Sequence, residues 1–247
     1  MSTPQKVALI TGSATGAGRA CALRFAREGY AVAINYSKSQ AEAEETFAEA
    51  KKFGPAILCK ANVADEAAVK AMFARCKDEL GGLDVLVNNA GMTHFIDHGK
   101  LDLLTDAVWD EIFNVNLKGA FYCCRAAMPL LQERSGAIVN VTSVAGLSGQ
   151  GSSIPYCASK AALNSVTKSL ARAFGPKVRV NAVAPGPILT RWLEGREENV
   201  QKYVQLAPMK RAAEPEDISD VVYFLAVDAK LMTGQVIVVD GGRTMSG

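Results

Sequence analysis

Tyr156 and Lys160 stand four residues apart at the head of an apolar-periodic segment, Ala161 to Phe174. If that segment is helical, their side chains sit one above the other on one face. A phenol with a pKa of about 10 exchanges protons poorly at neutral pH, and a neighbouring cation favours its ionised form. An ammonium roughly 4 Å away contributes about 4 kcal/mol at an effective dielectric near 20, enough to bring the phenol close to pH 7. The chemistry this suggests is proton transfer to or from a substrate oxygen. Ser143 follows the apolar run Ala137 to Val141, which reads as a buried strand. Its hydroxyl is expected at a strand's carboxyl end, where open α/β sheets hold ligands. Alone, a tyrosine and a lysine at this spacing are as readily surface residues, so the rest of the chain has to place them.

The elements around them alternate. Lys6 to Thr11 is an apolar run, Gly12-Ser-Ala-Thr-Gly16-Ala-Gly18 follows, and Arg19 to Glu28 is helical in pattern. Strand, glycine turn and helix is the phosphate-binding order: glycines let backbone approach a pyrophosphate, and the helix N-terminus offers N–H donors. Ala31 to Asn35 is a second strand, Gln40 to Phe53 a helix, Ala56 to Ala61 a third strand and Glu66 to Leu80 a helix capped by Gly81-Gly82. Leu83 to Asn88 is a fourth strand, and Asp106 to Leu131 one long helical pattern. Val178 to Val183, a helix from Glu216 to Ala226 and the strand Gln235 to Asp240 complete a doubly wound, seven-stranded parallel sheet with helices on both faces. Leu189 to Pro215 lacks clear periodicity and carries Trp192, Leu193, Tyr203, Leu206 and Met209, the composition of a substrate lid.

Dinucleotide folds that favour NAD carry an acid at the end of the second strand to bind the ribose 2′-hydroxyl. Here the run is Asn35-Tyr36-Ser37-Lys38. With no carboxylate to repel a 2′-phosphate, and Ser37 and Lys38 to hold one, NADP(H) is expected over NAD(H).

Composition sets outer bounds. The 247 residues fit one domain, 1–247, with residues 189–215 as a lid within it. Hydrophobic residues make up 49% and charged ones 21%, as in a globular protein, and a net charge of +2 gives no electrostatic footprint for nucleic acid. No run approaches ~18 apolar residues, so no membrane-spanning helix is expected. Met1 to Lys6 leads straight into a strand, so no signal peptide is expected. Cys21, Cys59, Cys76, Cys123, Cys124 and Cys157 form no C-x-x-C pair and read as reduced thiols of a cytoplasmic protein. His94 and His98 fall in a loop bounded by Gly91 and Gly99, and no metal site is expected there.

Together these residues resemble the short-chain dehydrogenase/reductase family over essentially the whole chain. The motifs are Thr11-Gly12-x3-Gly16-x-Gly18, Asn88-Asn89-Ala90-Gly91, Asn116, Ser143, Tyr156-x3-Lys160, and Pro185-Gly186 with Thr190. The resemblance implies an NAD(P)-dependent oxidoreductase in which Tyr156 exchanges the proton and Ser143 holds the substrate oxygen. Lys160 would lower the phenol pKa and bind the nicotinamide ribose, and Asn116 would place a water that links Lys160 to solvent. It implies cofactor contacts from Gly12, Ala14, Thr15, Gly16, Ala17 and Gly18, and from Asn35, Tyr36, Ser37 and Lys38. Asn62, Val63, Asn89, Ala90 and Gly91, then Pro185, Gly186, Ile188 and Thr190, complete that set with Tyr156 and Lys160.

Two positions depart from the family pattern. Asn62-Val63 replaces the usual Asp-Val beside adenine, and Ser13, Ala14 and Thr15 place no basic residue in the glycine turn. The chain looks most like the bacterial 3-oxoacyl-carrier-protein reductases, which implies carbonyl reduction; the alternatives are an alcohol, sugar or polyol dehydrogenase and, more distantly, a nucleotide sensor without turnover. Arg134, with Lys177 beside Pro176, stands near where those reductases carry arginines for a carrier protein. A homotetramer is also implied, with the Asn116 and Tyr156 helices at one interface and the terminal strand at another.

Overall fold

The structure is a computed structural model and describes residues 5–245; residues 1–4 and 246–247 of the expected domain lie outside it. The apolar runs form seven strands: β1 (Val7–Ile10), β2 (Ala31–Tyr36), β3 (Ala56–Lys60), β4 (Val85–Asn88), β5 (Ala137–Val141), β6 (Arg179–Pro185) and β7 (Val236–Val239). All pair in parallel, in the order β3-β2-β1-β4-β5-β6-β7. The helices are α1 (Gly16–Arg27), α2 (Gln40–Ala50), α3 (Glu66–Leu80), α4 (Asp106–Phe113), α5 (Ala120–Arg134), α6 (Ala145–Ser148), α7 (Ile154–Phe174), α8 (Glu197–Leu206) and α9 (Pro215–Tyr223).

Successive strand residues face opposite sides, and here both sides are covered. Val7 and Leu9 pack with Met72, Phe73 and Leu131 beneath α3 and α5. Ala8 and Ile10 pack with Phe25, Ile218 and Leu225 on the side of α1 and α9. Double burial explains why the strands read as continuous apolar runs rather than as alternating ones. The chain winds outward from β1 to β3, returns to β4 and winds the other way, so the connections leaving the carboxyl ends of β1 and β4 run to opposite faces of the sheet and open a crevice.

Helix ends follow local chemistry. The Asp65 carboxylate accepts N–H bonds from Ala67 and Ala68 at 2.9 and 3.2 Å, and Gly81 closes α3 at φ 85°. The Ser153 hydroxyl accepts the Tyr156 N–H, and Pro155 sits in the first turn. This starts α7 at Ile154 and puts Tyr156 and Lys160 on one helix, as their spacing suggests.

Three segments differ from the sequence reading. The pattern from Asp106 to Leu131 is split by a π-helical turn, Asn114–Gly119, between α4 and α5. There the Asn116 amide bonds Met92 and Ser159 instead of pointing to solvent, and Gly119 meets Val63 so closely that a Cβ would stand 2.8 Å from Val63 Cγ2. A second π turn, Phe224–Asp228, follows α9, where the Arg179 guanidinium gathers the carbonyls of Leu225, Ala226 and Ala229. The segment after β6 contains a 3-10 turn, Arg191–Leu193, and the amphipathic helix α8, and it is tied back by a parallel bridge between Ile188 and Ala213.

Asn35 also differs from expectation. It is 2% exposed; its Oδ1 accepts the Gly12 N–H at 3.0 Å, and its Nδ2 donates to the carbonyls of Cys59 and Ala61 at 3.1 and 3.0 Å. Although it borders the crevice, its amide is committed to joining the glycine turn to β3, which corrects its expected role as a ligand contact. Asn35→Asp would set a buried carboxylate against two carbonyl oxygens, so the variant is expected to lose about 2 kcal/mol or more of stability. Denaturant unfolding checks this; unchanged stability with altered cofactor preference would contradict it.

Candidate active site

The crevice at the carboxyl ends of the strands is a cleft of about 1890 Å³. At its phosphate end, Gly12 and Gly16 take φ values of 62° and 57°. A Cβ on Gly12 would stand 2.9 Å from Ala90 Cα, and one on Gly18 would stand 2.4 Å from Gly12 O. The turn is thus packed against the end of β4 with no room for a side chain. Thr11 Oγ1 accepts the N–H groups of Asn89 and Ala90 at 3.0 Å, and Asn89 Nδ2 donates to the Thr11 and Gly12 carbonyls at 3.0 Å. Thr15, at the N-cap of α1, makes no side-chain bond to the helix, and the first turn carries no acid. The helix therefore presents uncapped N–H donors and its positive end to the cleft, which suits a pyrophosphate.

At the other end, Ser143 follows β5; its Oγ accepts the Ala145 N–H at 3.1 Å, and the hydroxyl stands near enough to the Tyr156 phenol to favour its ionised form. Lys160 is 4% exposed, and its Nζ donates to Val141 O at 2.9 Å, tying α7 to the end of β5. Inside the same helix-to-sheet contact, Asn88 Nδ2 donates to Asn140 Oδ1 at 2.9 Å and Asn140 Nδ2 to Thr167 Oγ1 at 2.8 Å, a buried polar chain across β4, β5 and α7.

The ammonium and the phenol do not face each other as their spacing of four suggests. Tyr156 lines the cleft half-buried, and desolvation drives its pKa up to about 12, opposed only by the Ser143 hydrogen bond. Lys160 is driven down from 10.5 to about 8 by burial. Its ammonium is turned to the Val141 carbonyl and stands 5.8 Å from the centre of the Tyr156 ring, so it does not hold the phenol near neutrality. Both groups keep their protons at pH 7.

The predicted cofactor residues line this one cleft, from Gly12, Ala14, Thr15, Gly16, Ala17 and Gly18 to Pro185, Gly186, Ile188 and Thr190. Ser37 and Lys38 are exposed at the end of β2, whereas Tyr36 is buried with Ala14 and Ala43. Asn62 Oδ1 accepts the Ala64 N–H, leaving its NH2 group for a ligand. Asn116 lies behind the wall: its Oδ1 accepts the Met92 N–H at 2.8 Å, and a Cβ on Gly91 would stand 3.5 Å from that oxygen and 3.6 Å from Lys160 Nζ. Arg134 lies at the amino end of the sheet, bonded to Asp84 and to the carbonyls of Gln5 and Gly81, so within one chain it does not flank the cleft. His94 Nε2 meets Glu111 Oε2 at 2.7 Å. All six cysteines are buried and unbridged.

Nothing in the sequence alone shows how the strap after β6 packs across the mouth. The Trp192 ring lies 6.4 Å from that of Tyr156, and the Arg196 guanidinium stacks 3.5 Å over Phe95. Arg191 reaches Ser39 and Glu42. Charged and aromatic residues in an aperiodic stretch were the available signal; their partners Tyr156, Phe95, Glu42 and Ser39 lie on other elements and leave no helical or strand spacing to read.

A family model described as enoyl-(acyl carrier protein) reductase matches residues 12–244. The chain is 42% identical over 245 residues to the 3-oxoacyl-[acyl-carrier-protein] reductase FabG of Staphylococcus aureus, covering 97% of this chain and 98% of that one. Among solved structures, a Burkholderia xenovorans protein described as a short-chain dehydrogenase/reductase superposes with a TM-score of 0.93 at 36% identity, covering 99% of this chain and 100% of that one. Levodione reductase gives a TM-score of 0.90 at 29% identity with both chains covered in full. Motif order, sheet topology and these likenesses agree: the chain belongs to the short-chain dehydrogenase/reductase family of NAD(P)-dependent oxidoreductases.

Proposed function

We propose that this enzyme reduces the ketone of a 3-oxoacyl thioester to the alcohol with NADPH. The observation that carries the chemistry is the trio of half-buried Ser143 and Tyr156 with buried Lys160, in which the phenol is held in its proton-bearing form at neutral pH. The 42% identity to a 3-oxoacyl-carrier-protein reductase supports the substrate class. The bound nicotinamide supplies the hydride.

The chain's own residues handle the rest. The Ser143 hydroxyl and the Tyr156 O–H converge on the carbonyl oxygen, and Tyr156 gives up its proton as negative charge develops there. Lys160, still cationic below about pH 8, stabilises the phenolate left behind. Asn116 Oδ1 faces the same space beside Gly91 as Lys160 Nζ, a position from which one water would return the proton from solvent. Ser37 and Lys38 hold the 2′-phosphate, and the strap of residues 189–215 is the lid, with Trp192 and Phe95 forming an apolar mouth. The exposed apolar residues Phe121 on α5, Phe224 and Leu231 near α9 and Val238 on β7 support a homotetramer joined through those faces. Arg134, committed to Asp84, plays no part in this reading of the mouth.

NADPH and NADH oxidation with a 3-oxoacyl thioester, and in parallel with simple ketones, diketones and sugars, tests the substrate. Thioester turnover faster with NADPH is expected; turnover of the other carbonyls only would overturn the substrate class. Tyr156→Phe is expected to bind NADPH normally while kcat falls at least about 100-fold; a smaller loss would remove Tyr156 as the proton donor.

Lys160 gives a pH test. Its folded pKa is lowered, so between about pH 8 and 10.5 the unfolded chain binds more protons and stability rises with pH. Between pH 7 and 9 the wild type is expected to gain about 1 kcal/mol relative to Lys160→Met, with the variant folded but inactive. Parallel stability curves would contradict the burial of a charged Lys160.

A further inference from the structure

Arg191 is the residue after Thr190 on the strap, and Thr190 lies on the phosphate turn: a Cβ on Gly16 would stand 3.1 Å from Thr190 Cγ2. From there the Arg191 side chain crosses the cleft to the start of α2. Its Nη1 meets Glu42 Oε1 at 2.5 Å, and its Nη2 donates to Ser39 Oγ at 2.7 Å. Ser39 is the N-cap of α2 but makes no side-chain bond to that helix, so its hydroxyl serves the arginine instead. Lys38, Ser39 and Arg191 all line the cleft at the end of β2, where a ribose 2′-substituent falls in this fold.

Three features of this contact bear on what it reads. The glycine turn contributes no cation, so among the described residues Lys38 is otherwise the only base lining this end of the cleft. The Arg191–Glu42 pair is half exposed on both sides, at 50% and 38%, and such pairs are weak and exchangeable. A phosphate monoester offers a guanidinium two parallel charge-assisted bonds with more charge than one carboxylate.

We propose that Arg191 is a specificity-determining residue that exchanges Glu42 for the 2′-phosphate of NADP(H). In doing so it ties the identity of the cofactor to closure of the strap over the substrate mouth. The coupling is covalent in origin: Trp192, the next residue, is the one that approaches the Tyr156 ring. Glu42 acts as the competitor, holding the arm in place when no 2′-phosphate is bound and disfavouring that phosphate by its own charge. This inference rests on the NADP reading of the site.

Binding of NADPH, NADH and adenosine 2′,5′-bisphosphate, followed by fluorescence or calorimetry, tests it in wild type, Arg191→Ala and Glu42→Gln. The expected result is about a tenfold or greater loss of affinity for NADPH and the bisphosphate in Arg191→Ala, with NADH within about twofold of wild type. Glu42→Gln is expected to tighten NADPH and the bisphosphate several-fold and leave NADH alone. Chymotryptic cleavage after Trp192 and Tyr203 should be slowed by saturating NADPH more than by NADH in wild type, and equally by both in Arg191→Ala. A wild type that prefers NADPH, with Arg191→Ala unchanged or weakened equally for both cofactors, would overturn the role of Arg191 and leave the NADP reading standing. A wild type that binds NADH as tightly as NADPH would overturn both. Equal protection of the strap by the two cofactors in wild type would overturn the coupling.

Discussion

A single ammonium group, buried and held by a backbone carbonyl rather than by a carboxylate, sets the geometry of this site. Lys160 Nζ bonds Val141 O at 2.9 Å, and that contact fixes α7 against the end of β5. The helix can come that close because Gly146 leaves room; a Cβ there would stand 2.6 Å from the Lys160 carbonyl carbon. The Ser153 cap and the Asn88–Asn140–Thr167 chain hold the same helix at its start and middle. Desolvation then acts on both members of the pair, pushing the phenol up and the ammonium down. Tyr156 keeps its proton until a substrate oxygen draws it away, which is the state a carbonyl reductase needs.

The sheet order places the two halves of the reaction side by side. Reversal of winding between β1 and β4 opens the cleft that takes the cofactor. The ends of β5 and β6 supply the proton-transfer residues and the strap. Because the strap carries Thr190 over the glycine turn, Arg191 to α2 and Trp192 toward Tyr156, one short segment touches both ends of the cleft.

Much of this was legible in the sequence because the signals were local. Doubly buried strands gave continuous apolar runs, Gly81 marked the end of α3 at the predicted residue, and a spacing of four put Tyr156 above Lys160. What escaped depends on distant partners. The π turn at Asn116 arises from bonds to Met92 and Ser159, and no helical period announces it. Asn35 looked like a cofactor residue from its place at a strand end, yet its amide is needed by Gly12, Cys59 and Ala61. The spacing of four suggests an ammonium facing the phenol; the Val141 carbonyl takes it instead, and burial raises the phenol pKa. α8 was hidden because its polar residues outweigh its few apolar ones, and it buries no side chain fully.

The most direct test is the ionisation of Tyr156 itself in the cofactor-free enzyme. Phenolate absorbance near 295 nm, taken as the difference between wild type and Tyr156→Phe across a pH titration, isolates this one phenol among the six tyrosines. Burial predicts no difference signal below about pH 10, the ordinary value for tyrosine. A phenolate signal appearing between pH 7 and 8 would show that Lys160, and not desolvation, governs the pair, and would contradict the account.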